Sequence, residues 1–408
     1  MYRDHTPIGV DIGRESIKML QLCRRGGQWH VAAGGTHVFG EEVRQGPGLR
    51  WRPAAEAIRS LLVSRSFRGQ RVVLSLDHEQ VLVKNARLPR MPQADLTEAV
   101  RWEAADRFPF DPNAGILRHV LAGDVRQGDE QRQELLLFAA SDQTLREQLT
   151  MLDQAGCTPV GLDAKPLALA RAMNHFWPLE ATEEEPVRVL ADLGAASCQM
   201  LIARADRIVF VKTIEIGSAD LTRAVAEKVG TSFEDTLALR MRLGGSSEAT
   251  RPADDDVLGD GSKIHRAMTA AMRPVIDRLA REITLCLRYY AVTFRGHRPT
   301  RLTLVGGASK DRLLVDLLSE ALGLTVEVGR PLRFCRASSA SQPWDVDLST
   351  GGPEWAVALG CCLKPVVQAK RPSADVLPTP GAAAAMPNAN DVTNEPAAPA
   401  RGAQADGW

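Results

Sequence analysis

A short segment near the start of the chain, "IGVDIGRESIK" (Ile8 to Lys18), has a counterpart in "VLADLGAASCQ" (Val189 to Gln199). In each, apolar side chains alternate up to an aspartate. Ile8, Val10 and Ile12 do so around Asp11, and Val189, Ala191 and Leu193 around Asp192. That alternation is the period of a strand. A glycine then follows the aspartate (Gly13, Gly194), and a serine (Ser16, Ser197) opens a second strand. A strand–turn–strand unit that recurs once near the start of each half predicts a duplicated half-domain.

The unit carries the chemistry of a phosphate cradle. A glycine turn lets backbone N–H groups converge on an anion. Ser16 and Ser197 add hydroxyl donors, and Lys18 projects to the same side as Ser16, where an ammonium neutralises phosphate. Asp11 and Asp192 would repel phosphate unless Mg²⁺, still carrying waters, sits between them and the ligand. One Asp-x-Gly-x-x-Ser more often simply ends a strand; the second copy in an equivalent context favours phosphate binding. A third element, the buried strand "RLTLV" with Gly306, Gly307 and Ser309 after it, lets a flat group lie against backbone. Alone it reads as an ordinary strand-to-helix turn.

Strand-like and helical runs alternate throughout, so the fold class is α/β. "RVVLSLD" and "QELLLFAAS" read as strands, and "PQADLTEAVRWEAADRF", "DQTLREQLTMLDQAG" and "KPLALARAMNHF" as helices. The second half opens on "VRVLADLG" and includes a long helix from Lys263 to Phe294, with Pro274 as a place for it to bend. Pro178–Pro186 reads as a connector and Ser246–Ser262 as a surface loop. From residue 366 the chain is Ala/Pro-rich with few large apolar residues, a composition expected to stay disordered. With 408 residues the chain can bury two or three cores. Its formal net charge of zero gives no reason to expect a nucleic-acid partner. The seven cysteines lack C-x-x-C spacing and read as reduced, buried thiols. The N-terminus is not a signal peptide, and no apolar run is long enough for a membrane span.

Two such hairpins, an interposed helix starting at Pro166, the late strand–Gly-Gly–helix and a final "AVALG" helix resemble the actin-like ATPase superfamily over residues 8–363. Within it, "LPRMPQADLTEAVRWEAADRFPFD" (Leu88–Asp111) resembles the PilM family of type IV pilus assembly. Met91-Pro92, Leu96, Ala99-Val100, Trp102-Glu103-Ala104 and Pro109-Phe110 carry the likeness. The related cytoplasmic domain of the type II secretion protein GspL is a close alternative.

The resemblance implies duplicated ribonuclease-H-like halves at 1–180 and 187–365, with a small α/β subdomain inserted at about 84–158. It implies ATP and Mg²⁺ as cofactors. Asp11, Gly13, Ser16, Lys18, Asp192, Gly194, Ser197, Gly306, Gly307, Ser309 and Arg240 would hold the nucleotide, with Asp11 and Asp192 holding the metal. It implies a cytoplasmic protein, peripheral to the inner membrane through a PilN-like partner. That partner's cytoplasmic peptide would meet Trp102, Phe108 and Phe110, each of which read singly is a core residue. Self-association stays open.

One position departs from the superfamily. The residue expected to orient the attacking water, a Glu, Gln or Asp before the "P-x-A-L" turn, is Lys165. A charged lysine cannot accept the water's proton; it can pair with phosphate. Asp163 is the substitute within reach, and on an actin-fold kinase it would be the base. Three readings follow: an ATP-binding scaffold, a small-molecule kinase, and an adaptor that binds no nucleotide.

Overall fold

The computed structural model describes residues 5–45, 51–112, 114–176, 187–244, 260–296, 298–337 and 345–366. The connector at 178–186, most of the loop at 246–262 and nearly all of the tail from 366 lie outside the described residues.

The first half begins as a meander of β1 (Ile8–Ile12), β2 (Ser16–Arg25) and β3 (Gln28–Val38). Helices α1 (Glu41–Gln45) and α2 (Trp51–Ser64) lead to β4 (Arg71–Leu76). Next come β5 (Leu82–Pro89), α3 (Gln93–Ala105), β6 (Gly115–Gln127), β7 (Glu130–Ser141) and α4 (Asp142–Gln154). β8 (Thr158–Ala164) and α5 (Lys165–Phe176) close this half.

The second half repeats the plan: β9 (Val187–Leu193), β10 (Cys198–Arg204) and β11 (Arg207–Ile214), then α6 (Ser218–Val229), α7 (Phe233–Gly244) and α8 (Asp260–Phe294). α8 runs through Pro274. The chain continues through β12 (Arg301–Val305), α9 (Arg312–Leu322), β13 (Thr325–Val328), β14 (Arg336–Ala337) and α10 (Ala356–Cys362).

The two main sheets carry the same order of strands. One reads β3-β2-β1-β4-β8 with β14 added at its edge; the other reads β11-β10-β9-β12-β13. In both, the first three strands are antiparallel and the last two join in parallel. The crossover between the fourth and fifth strands is α9 alone in the second half. In the first half it also carries β5, α3, β6 and β7 ahead of α4. These three strands form a separate sheet in the order β5-β7-β6. Leu96, Val100 and Ala104 of α3 pack on it against Ala86, Leu135 and Leu137. A Leu or Val buried in this way contributes roughly 1.5–3 kcal/mol.

This added sheet is tied to the second half by a buried charge. Glu134 on β7 is fully enclosed. It accepts from Asn85 Nδ2 at 2.9 Å and Arg87 Nε at 2.6 Å on β5, and from Tyr289 Oη at 3.0 Å on α8.

The last two elements return to the first sheet. β14 pairs with β3, and α10 lies across β1 and α5. The approach is backbone on backbone. A Cβ on Gly360 would stand 1.9 Å from Ala168 O, and one on Gly9 would stand 2.0 Å from Ala358 O. All seven cysteines are buried and free, with Cys361 and Cys362 inside this contact. Gly360→Ala is expected to lower stability by about 2–3 kcal/mol, the cost of overpacking a close contact. The urea midpoint reads this directly, and an unchanged midpoint would mean that α10 can move away from α5.

Candidate functional site

The hairpins place equivalent atoms at the ends of the two sheets. Asp11 sits opposite Lys18 in the β1–β2 pairing, and Asp192 opposite Gln199 in β9–β10. Gly13 N donates to Ser16 O at 2.9 Å, and Gly194 N to Ser197 O at 2.9 Å, so the two turns close identically. Ser16, Ser197 and both glycines remain partly open to solvent.

The turns differ in their charge. Lys18 Nζ donates to Ser16 Oγ at 2.9 Å, which brings ammonium and hydroxyl together at the first turn. Gln199, in the matching place, is buried. It donates to Lys212 O at 3.1 Å and accepts from Thr213 Oγ1 at 3.1 Å.

Between the two aspartates stands Lys165, the first residue of α5. Its Nζ lies 3.0 Å from Asp192 Oδ2, and the two side chains are only 17 % and 6 % exposed. Burial alone would lower the lysine's pKa; the carboxylates of Asp192, Asp11 and Asp77 more than reverse this and push it well above its ordinary value. The ammonium is therefore permanently charged. For Asp11, burial is the largest influence and raises its pKa, with Asp192 and Asp77 adding to the rise and Lys165 and Lys18 opposing it. Asp77 closes the strand quoted as "RVVLSLD" and is a further member of the site beyond the paired hairpins. Its signal was a third aspartate at a strand end, visible but unrepeated.

Gly306 joins this group. Its φ of +93° is open to glycine, and a Cβ there would strike Leu193 O at 2.4 Å and Asp192 Oδ1 at 2.8 Å. Gly307 has open space before its Cα. Ser309, expected on the nucleotide, is 1 % exposed and gives its hydroxyl to Gly306 O at 2.7 Å. It holds the turn rather than a ligand.

Two further residues are engaged elsewhere. Arg240 is 1 % exposed; it donates to Asp311 Oδ2 at 2.9 Å, Thr222 Oγ1 at 2.6 Å and Ser218 O at 3.1 Å. It clamps α6, α7 and the cap of α9. Asp163 accepts from Arg171 Nη1 at 2.7 Å and Lys364 Nζ at 3.0 Å, so both its oxygens hold α5 and the end of α10. The structure corrects its reading as a base: the carboxylate is taken up by two cations.

The aromatic trio separates as well. Trp102 is 73 % exposed on α3, whereas Phe108 is 7 % exposed within the core of the inserted sheet. Phe110 is half-buried, its ring centroid 6.0 Å from that of Phe108. Phe108 is therefore a packing residue. Two concavities lie elsewhere. A groove of about 720 Å³ runs between α2 and α4, lined by Trp51, Arg52, Arg146, Glu147, Thr150 and Met151 among others. A cavity of about 220 Å³ lies beside Asp77, Lys84, Pro166, Gln199 and Glu215, between the root of the inserted sheet and β10–β11.

Among known proteins, the family model of type IV pilus assembly protein PilM matches residues 9–245. That of cell division protein FtsA matches residues 189–360. The solved PilM–PilN type IV pilus biogenesis complex is similar with a TM-score of 0.68 and 24 % identity, over 88 % of this chain and 97 % of that one. The ethanolamine utilization protein EutJ from Carboxydothermus hydrogenoformans gives a TM-score of 0.51 at 13 % identity, over 89 % of this chain and 90 % of that one. The fold is the actin-like one that the paired hairpins suggested.

The two aspartates should answer differently to neutralisation. Asp192→Asn removes the partner of a buried ammonium and is expected to cost about 3 kcal/mol. A carboxyl whose pKa rises on folding gives stability that is complete below its ordinary 3.8 and is lost as pH climbs through the raised value. Asp11→Asn should therefore be neutral or stabilising at pH 7, with the difference closing below about pH 4. Thermal melting of both variants across pH checks this; destabilisation by Asp11→Asn at neutral pH would contradict it.

Proposed function

The chain belongs to the PilM family of type IV pilus assembly proteins, and from that we propose that it is an actin-like scaffold which binds ATP between its halves and docks the cytoplasmic peptide of a PilN-like inner-membrane protein. The observation that carries the nucleotide part is the pair of matched turns, with Ser16 and Lys18 at one and Ser197 at the other. Gly306 supports it by bringing a third turn against Asp192. No helix among the described residues is long and apolar enough to cross a membrane, so contact with the bilayer would run through the partner.

The kinase reading loses its base, because Asp163 is engaged by Arg171 and Lys364. Lys165 stands where the superfamily places a water-orienting group, and as a charged donor it cannot activate water. ATP then serves as a ligand that favours one arrangement of the halves, and turnover is slow. Isothermal calorimetry tests the binding. Lys18→Ala should weaken ATP by about ten- to a hundredfold, the scale of one lost charge-assisted contact. Equal affinity in the variant would remove the first turn from the site.

For the peptide, the groove between α2 and α4 suits a short segment better than the aromatic trio does. It is concave, it offers Trp51 as an apolar anchor, and it carries charges of both signs in Arg52, Arg146 and Glu147. A central aromatic in such a groove typically dominates binding. Trp51→Ala should weaken a synthetic PilN-like peptide by about tenfold or more, while Trp102→Ala leaves it within about twofold. The reverse order, read by fluorescence anisotropy, would move the docking surface to the exposed face of α3.

A further inference from the structure

We propose that the Lys165 ammonium takes the place of a divalent cation in this cleft, so that the protein binds ATP as the metal-free anion. The inference rests on the nucleotide reading above and narrows the chemical form of its ligand.

Of the two carboxylates expected to hold Mg²⁺, Asp192 is already paired with an ammonium. Lys165 Nζ is 3.0 Å from Asp192 Oδ2, within hydrogen-bonding distance for an ammonium on a carboxylate. Asp11 and Asp77 lie close enough to act on the same ammonium. A Mg²⁺ ion would need the oxygens at about 2.0–2.1 Å and room for several of its waters. The lysine's own donors occupy that room. A dication set beside a buried ammonium would also meet its repulsion in a low-dielectric setting. Among the described residues, no cluster of three or more His, Cys, Asp or Glu forms a protein cage for a metal. The residues present do not fit a resident divalent ion.

The charge is held firmly. Lys165 begins α5, which is locked to α10 by the contact of Gly360 with Ala168. Its side chain is 17 % exposed and its partner Asp192 only 6 %, with the Gly306 turn close beside Asp192. With Lys18 at the first turn, the cleft presents two ammonium groups, one bonded to a Ser hydroxyl and one to a carboxylate. Phosphate oxygens arriving between them would meet two cations held in place by the protein. A tethered cation cannot be chelated away, and it adds no requirement for a second ligand.

The test compares ATP binding by calorimetry in EDTA and in millimolar Mg²⁺, for wild type and for Lys165→Ala. Wild type should bind ATP in EDTA at least as tightly as in Mg²⁺, to within about threefold. Lys165→Ala should invert this and bind about tenfold or more tightly with the metal, since the substitution frees Asp192 and removes the cation beside Asp11. Mn²⁺ alone, followed by electron paramagnetic resonance without nucleotide, should bind to Lys165→Ala and not to wild type. Wild-type binding that is about tenfold or more weaker in EDTA would overturn this inference and leave the nucleotide site standing. Absence of ATP binding in both buffers would overturn the inference and the nucleotide site together. Should Lys165→Ala fail to fold, the wild-type comparison decides alone.

Discussion

The position of α10 governs the first half. Gly360 rests on the backbone of Ala168 in α5, and Gly9 of β1 rests on the backbone of Ala358 in α10. Neither contact leaves room for a side chain, so three distant stretches of the chain are held at fixed separation. Asp163 seals the same junction by accepting from Arg171 on α5 and from Lys364 just past α10. A buried carboxylate between two cations is costly to break once one partner is gone. Asp11 at the end of β1 and Lys165 at the start of α5 inherit their places from this packing. A ligand site 3 Å in grain needs a scaffold of that stiffness beneath it.

The hairpins were legible because everything that defines them is local. Alternation marks the strands, glycine marks the turn, and the repeat shows that the pattern is not chance. Element types elsewhere followed from periodicity for the same reason. What was hidden depends on partners far away in sequence. Lys165 was visible as a departure from its superfamily, but its engagement with Asp192 comes only when α5 and β9 meet. Arg240 was placed on the nucleotide by the resemblance; the structure pairs it with Asp311 at the cap of α9. Asp163 looked available until α10 supplied Lys364. Phe108 shows the limit in another way: read singly it is a core residue, the resemblance places it on a partner peptide, and its burial in the core of the inserted sheet agrees with the first.

Duplication also left the halves unequal. Lys18 and Gln199 occupy one register position, yet the first is a cation at the turn and the second is hydrogen-bonded within its own sheet. The second half contributes instead a carboxylate, Asp192, that binds the first half's lysine. The cleft is thus crossed by an ion pair with one partner from each half. This gives the halves an attraction of their own and sets the distance at which any ligand must fit.

That distance bears on the inserted sheet, which touches both halves. It grows from the β4–β8 crossover of the first half, and through Glu134 it is bonded to Tyr289 on α8 of the second. Tyr289 is itself fixed, its ring 5.2 Å from that of Phe210 on β11. Glu134 has no solvent to turn to, so leaving Tyr289 without replacement would strand part of a buried charge. A change in the separation of the halves must therefore carry the inserted sheet with α8 or break this contact. The groove between α2 and α4 lies on the seam that such a movement shears, because α2 belongs to the first half's body and α4 to the crossover that bears the sheet. These contacts place the inserted sheet between the cleft and the groove; a coupling of the two sites would need this arrangement to have a second state that both sites bias.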